Sequence, residues 1–112
     1  MEKENLKVVT SKLFDFVDIP SIHEYGKETF GLKLADYFIE EIYACLDELS
    51  KSYFLHPECR HLETKTKKYR NIILGSYLII YRITPNRIEV LRALHGSRSP
   101  KTIKRTRTIT IG

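Results

Sequence analysis

Arg92, His95 and Arg98 fall close together in the run Arg92-Ala93-Leu94-His95-Gly96-Ser97-Arg98, and Arg82 stands in the apolar stretch before it. This set could cleave RNA without a metal. Internal attack by a ribose 2′-hydroxyl needs a base for that hydroxyl, cations for the phosphorane charge and an acid for the leaving oxygen. Histidine is the natural acid or base near neutral pH, and the arginines supply the cations. The same side chains could instead bind an acidic protein segment or a nucleic acid. Each also has a structural reading. Arg92 would be a half-buried arginine held by a carboxylate such as Glu89 or one on a helix, and His95 would hydrogen-bond a neighbouring backbone group. Arg98 leaves the strand beside Gly96, where backbone freedom and exposure favour a working side chain.

A second cluster, His56, Cys59 and His61, has spacing short enough for ligands to converge. A structural zinc site wants four ligands in two close pairs, and no second pair exists here, so a solvated loop is expected and no metal or other cofactor.

The elements that must position these groups are legible. Tyr69 to Leu74, Tyr77 to Ile83 and Arg87 to Leu94 are β runs broken by Gly75-Ser76 and Thr84-Pro85-Asn86. Connections that short permit only antiparallel returns, so the runs form a β-meander whose polar face would carry the functional candidates. On a period of two, Tyr77, Ile79, Tyr81 and Ile83 share a core face, and Arg92 lies on one face with Ile88, Val90 and Leu94. Leu6 to Thr10 reads as a first short strand. Phe14 to Asp18 then extends it or leads into a helix capped by Asp18, with Pro20 in its first turn, or by a Ser21/Glu24 capping box. Gly31 stops that helix. From Leu32 to about Ser50, Leu34, Cys45, Phe38, Leu49, Ile42, Ala35, Leu46 and Ile39 fall within one arc at about 100° per residue, with Asp36, Glu40, Glu41, Asp47 and Glu48 outside it. Two helices joined at Gly31 make an antiparallel hairpin that covers one face of the sheet. His56 to Lys68 reads as a polar loop and residues 100–112 as a basic tail.

Charge divides the chain in the same place. Residues 1–58 hold 6 Lys and Arg against 12 Asp and Glu, and residues 59–112 hold 13 against 2, so −6 and +11 give the overall +5. A directed field of this kind suits a polyanion or an acidic partner. The length of 112 residues suits one domain with one modest core. Cys45 and Cys59 make no disulfide framework, and no leader or membrane-length apolar run is present, so a cytoplasmic protein is expected.

In this order the chain resembles the RelE/ParE superfamily of toxins from bacterial type II toxin-antitoxin modules. The resemblance rests on Phe30-Gly31 followed by Ala35-Asp36-Tyr37-Phe38-Ile39-Glu40-Glu41-Ile42, the loop His56-Pro57-Glu58-Cys59-Arg60, the strand Tyr77-Leu78-Ile79-Ile80-Tyr81-Arg82, and Ile88 through Arg98. It covers roughly residues 6–99 and implies an α+β fold: an N-terminal strand, then an antiparallel helical hairpin packed on a C-terminal antiparallel meander. RelE-like members cut mRNA on the ribosome, and a ribonuclease here would use Arg70, Arg82, His95 and Arg98, of which Arg98 and Arg70 stand at places that resemble that branch's pattern. Leu78, however, stands where that branch has an arginine, and no tyrosine follows Arg98. The ParE branch shares the Arg-x-Leu-His-Gly-x-Arg style of ending and poisons DNA gyrase. The resemblance therefore favours a ParE-like toxin domain over residues 1–99, with Arg92, His95, Arg98 and Lys101 meeting gyrase. Lys65, Lys67, Lys68, Arg70, Tyr37 and Tyr43 would meet a cognate antitoxin in a hetero-oligomer. The ribosome-dependent endoribonuclease and an inactive relative are the alternatives.

Overall fold

Residues 5–112 are described by a computed structural model of the chain; residues 1–4 of the expected domain lie outside the described residues. The element order is β1 (Lys7–Thr10), a π-helical turn (Phe14–Asp18), α1 (Ile19–Phe30), α2 (Leu32–Ser52), β2 (Tyr69–Leu74), β3 (Tyr77–Ile83), β4 (Arg87–His95), α3 (Pro100–Arg105) and a 3-10 turn (Thr106–Thr108). The four strands form one sheet in the order β1-β4-β3-β2. The meander is antiparallel, and β1 adds to it parallel to β4.

The first helical segment starts earlier than its capping signals suggest. The Ser11 hydroxyl accepts from the Phe14 N–H at 3.0 Å and donates to the Leu91 carbonyl at 2.6 Å, so Ser11 is the working cap and fixes the helix start against β4. Ser21 and Glu24 lie inside α1, and the Asp18 side chain makes no cap bond. Phe14 and Asp18, four residues apart, are both buried on the face turned to the sheet. Gly31 ends α1 and precedes α2 at φ 95°, a conformation that favours glycine. A Cβ built on Gly26 would meet the Ala35 Cβ at 3.3 Å, so the two helices touch at this glycine.

The hairpin packs on one face of the sheet. Ile42, Leu46 and Leu49 of α2 form a core with Ile72, Ile79, Tyr81, Ile88 and Val90. Only the middle of the apolar arc is buried: Ala35, Ile42, Leu46 and Leu49 are the buried residues of α2, whereas Leu34 at its edge is 58% exposed.

The other sheet face departs from expectation. It carries a second apolar cluster of Cys59, Leu62, Tyr69, Ile80, Leu91, Leu94 and Ile103, with Leu78, Ile109 and Ile111 packed against it. The segment read as a polar loop therefore buries Cys59 and Leu62, and the basic tail folds back to bury Ile103. Residues 57–59 also pair with the outer edge of β2, through Cys59 N–H to the Tyr69 carbonyl and Asn71 N–H to the Pro57 carbonyl. A register shift between Ile80 and Tyr81 explains the failure of strict alternation along β4. Val90 and Ala93 join the hairpin core while Leu91 and Leu94 join the second cluster, so Arg92 does not share one apolar face with Val90 and Leu94.

Glu89 clamps the tail to the sheet. It is 6% exposed and accepts from Arg82 Nε at 2.8 Å and Arg87 Nη2 at 2.7 Å. The same arginines donate to the carbonyls of Ile109 and Ile111. Burial raises the Glu89 pKa, but the hydrogen bonds and charges of Arg82 and Arg87 outweigh it and hold the carboxyl below its ordinary 4.5. The clamp's stabilisation is then complete above that value and lost as pH falls through the lower folded-state value. Melting temperatures of the parent and of Glu89→Gln should differ most above pH 5 and converge in acid. A gap that stays constant into strong acid would assign the acid sensitivity to other carboxylates.

Candidate functional site

The end of β4 forms one wall of a cleft of about 380 Å³ whose other wall is the start of α1. Arg92, His95 and Arg98 line it, together with Asp18, Ser21, Tyr25, Tyr77 and Ser97. On the edge away from β3, β4 pairs with β1 only from Arg87 to Val90, and beyond that Asp18 takes the place of a strand neighbour. One Asp18 oxygen accepts from the Ala93 N–H at 2.8 Å, and the carboxylate grips Arg92 through Nε at 2.8 Å and Nη2 at 2.7 Å. This bidentate geometry fixes the guanidinium plane. The hydrogen bond from Arg92 to Asp18 raises the Arg92 pKa, burial opposes it, and the Asp18 charge adds to the rise. Arg92 is therefore a permanent cation at the cleft wall, held by a carboxylate on the helical side rather than by Glu89.

His95 sits at the exposed strand end. Its Nδ1 accepts from the Ser97 N–H at 3.1 Å and lies 2.7 Å from the Ser97 hydroxyl, which places the ring proton of the neutral form on Nε2. The ring packs edge-on against Tyr77, with centroids 5.5 Å apart. Tyr77 is kept protonated: burial, and then the neighbouring Tyr25, raise its pKa. Arg98 is exposed, and its backbone N–H closes a turn onto the His95 carbonyl at 3.0 Å. Lys101 is exposed on α3.

Arg70 and Arg82 are elsewhere. The Arg70 guanidinium donates to the carbonyls of Lys67 at 3.0 Å, Phe54 at 2.8 Å and His56 at 3.1 Å, stapling the end of the hairpin to the loop before β2. Arg82 is engaged with Glu89, Tyr69 and Ile109. His95 pairs with Tyr77 at one end of β3, and Arg82 lies near the other end, about 17 Å away at roughly 3.3 Å per residue. No single phosphate reaches both. Leu78 packs against the second cluster.

Beside the cleft, and sharing Tyr25, Tyr77 and His95 with it, lies an apolar groove of about 460 Å³ bounded by Phe30, Leu34, Tyr37 and Phe38. Tyr25, Phe30, Leu34 and Tyr37 are each more than half exposed. Tyr43 lies further along α2, edge-on to Phe14. Lys65, Lys67 and Lys68 are exposed near the start of β2, at the opposite end of the sheet from the groove. His56 packs edge-on against Tyr81, and burial followed by the charge of Arg70 lowers its pKa. Burial pushes the Cys59 thiol up to about 11, which leaves it an unreactive core residue. Among the described residues no group of three or more His, Cys, Asp or Glu is placed to hold a metal ion.

Sequence reasoning missed Asp18, Tyr25 and Ser97. Only Ser97 carried a usable signal, its position two residues after His95.

The family described as ParE toxin of type II toxin-antitoxin system, parDE, matches residues 18–100. A solved structure of the chromosomal ParDE TA system from P. aeruginosa is similar in fold, with a TM-score of 0.67 at 15% identity, covering 83% of this chain and 98% of that one. No curated protein matches in sequence.

Proposed function

Because the chain belongs to the ParE toxin family of type II toxin-antitoxin systems, we propose that it inhibits DNA gyrase by binding and is silenced by a cognate antitoxin. The observation that carries this reading is the dispersal of the nuclease candidates. Arg70 and Arg82 are engaged in structural bonds away from the cleft, so His95 has only Arg92 and Arg98 beside it. Cleavage of RNA asks for a base, an acid and charge stabilisation around one phosphate. A ridge made of a fixed Arg92, an outward His95 Nε2 and an exposed Arg98, continued by Lys101, suits recognition of an acidic or DNA-bearing surface.

The antitoxin is assigned to the apolar groove. Its aromatic rim, with Tyr37, offers the anchors that an amphipathic helix uses when it lies in a groove. Because the groove shares Tyr25, Tyr77 and His95 with the cleft, an occupant there blocks the cleft as well. In this arrangement Lys65, Lys67 and Lys68 lie outside the antitoxin contact, as does Arg70.

Expression of the free chain in bacterial cytoplasm should give gyrase-dependent DNA breaks and filamentous cells while mRNA stays intact. Arg98→Ala should abolish this with about 0.5 kcal/mol or less of stability change, the usual effect of an exposed position. Ribosome-dependent cleavage of mRNA, lost on Arg98→Ala, would overturn the gyrase reading in favour of the nuclease.

A further inference from the structure

Apart from Lys101, which continues the ridge of the cleft, and Lys68, whose ammonium lies 5.5 Å from the centre of the Tyr69 ring, the exposed cations on the sheet face opposite the hairpin serve neither the cleft nor the core. Burial of Cys59, Leu62, Ile103, Ile109 and Ile111 in one cluster brings the loop before β2 and the C-terminal segment onto the same side of the sheet. The loop contributes Arg60, Lys65, Lys67 and Lys68, all exposed. The C-terminal segment adds Lys101, Lys104, Arg105 and Arg107, also exposed. Against these eight cations stand Glu58 and Glu63, each of which accepts a backbone N–H, from Thr64 at 3.0 Å and from His61 at 2.8 Å. Among the described residues, none of the eight takes part in an ion pair.

We propose that this face binds the phosphate backbone of duplex DNA, through the loop before β2 and the C-terminal segment acting as two adjacent cationic arms. Three features select this partner. Residues 56–70 and 96–112 contain none of the exposed large hydrophobic side chains; the two that border this face, Leu13 beside residues 108–112 and Ile73 on β2, sit at opposite edges of the sheet and form no shared patch. Stable membrane anchoring takes an apolar signal besides a basic patch, and protein interfaces draw most of their affinity from aromatic or apolar anchors. Backbone phosphates need only Lys and Arg with Ser or Thr hydroxyls, and Thr66, Thr108 and Thr110 are exposed among these cations. The hairpin side carries exposed Asp36, Glu40, Asp47 and Glu48, so its field repels a polyanion and turns the basic face toward it. The groove is thereby left open to a second partner. This inference stands apart from the gyrase reading, because it concerns DNA binding by the chain alone.

The test is fluorescence anisotropy of the purified full chain with a labelled random duplex of about 20 base pairs, across a salt series. Two triple variants, Lys65→Gln/Lys67→Gln/Lys68→Gln and Lys104→Gln/Arg105→Gln/Arg107→Gln, are compared with a hairpin control, Lys27→Gln/Lys33→Gln/Lys51→Gln. All three keep exposed positions and the same charge change, and thermal melts check their folding. The expected result is affinity that falls steeply with salt. Each arm variant should lose about tenfold or more and flatten the logarithmic salt slope by roughly 2 to 3, while the control follows the parent. Three results would overturn the proposal: arm variants that bind as the parent does, a control that loses as much as they do, or tighter binding to phosphatidylglycerol vesicles or polyglutamate than to DNA.

Discussion

Asp18→Ala should destabilise the protein by about 3 kcal/mol or more, among the largest effects of any single polar substitution in this chain. Asp18 is 4% exposed and the Arg92 side chain 20%, so truncation leaves a largely desolvated guanidinium without its partner. It also leaves the Ala93 N–H unsatisfied at the open edge of β4. Two consequences separate this account from a generic core defect. Asp18→Asn keeps an acceptor for Ala93 and should cost clearly less than Asp18→Ala. The double variant Asp18→Ala/Arg92→Met should be more stable than Asp18→Ala alone, because the second change removes the unpaired charge. Denaturant midpoints of the four proteins measure this directly. A loss below about 1 kcal/mol for Asp18→Ala would show that the pair contributes little to the fold.

Tyr81→Ala should cost about 3 to 5 kcal/mol, a large share of the roughly 5 to 15 kcal/mol by which domains of this kind are stable. Tyr81 is fully buried at the centre of β3, within the hairpin core. Its hydroxyl donates to the Tyr53 carbonyl just beyond α2, so one side chain both fills the core and ties the end of the hairpin to the sheet. Burial drives the phenol pKa well above its ordinary value, and the hydroxyl stays protonated throughout the stable range. Tyr81→Phe keeps the ring and removes only the hydrogen bond, so its cost should be about 0.5 to 1.5 kcal/mol. Toxicity should disappear with Tyr81→Ala through unfolding, whereas Arg98→Ala loses it in a folded protein. Equal losses for the Ala and Phe variants would mean that the hydrogen bond, and not the ring, dominates.

The elements were readable in the sequence where a period or a breaker marked them. Gly75-Ser76 and Thr84-Pro85-Asn86 lie between strands whose extents are Tyr69–Leu74, Tyr77–Ile83 and Arg87–His95. The apolar arc of α2 gave its core residues apart from the exposed edge at Leu34. What stayed hidden depended on contacts between distant parts of the chain. Asp18 looks like a cap because its partner Arg92 is 74 residues away. The register shift beside Leu91 has no glycine or proline to announce it. Cys59, Leu62 and Ile103 are single apolar residues among charged and polar neighbours, and Ile109 and Ile111 make one alternation too short to mark an element, so no sustained period of 2 or 3.6 shows that together they cover the second sheet face. That face was read as polar for this reason. At the site, Arg92, His95 and Arg98 were found by type and spacing, and the structure brings them to one cleft. Arg70 and Arg82 were read as available cations because sequence does not show which carbonyls and carboxylates will occupy a guanidinium.

The most direct test of the toxin's mode of action uses purified gyrase, supercoiled plasmid, ATP and the purified chain, with cleaved plasmid quantified after protein denaturation. The account predicts that linear DNA accumulates with increasing toxin, that Arg98→Ala abolishes the accumulation while melting like the parent, and that ribosome-bound mRNA is left whole at the same concentrations. Unchanged gyrase activity with a folded, full-length toxin, together with cut mRNA, would contradict it.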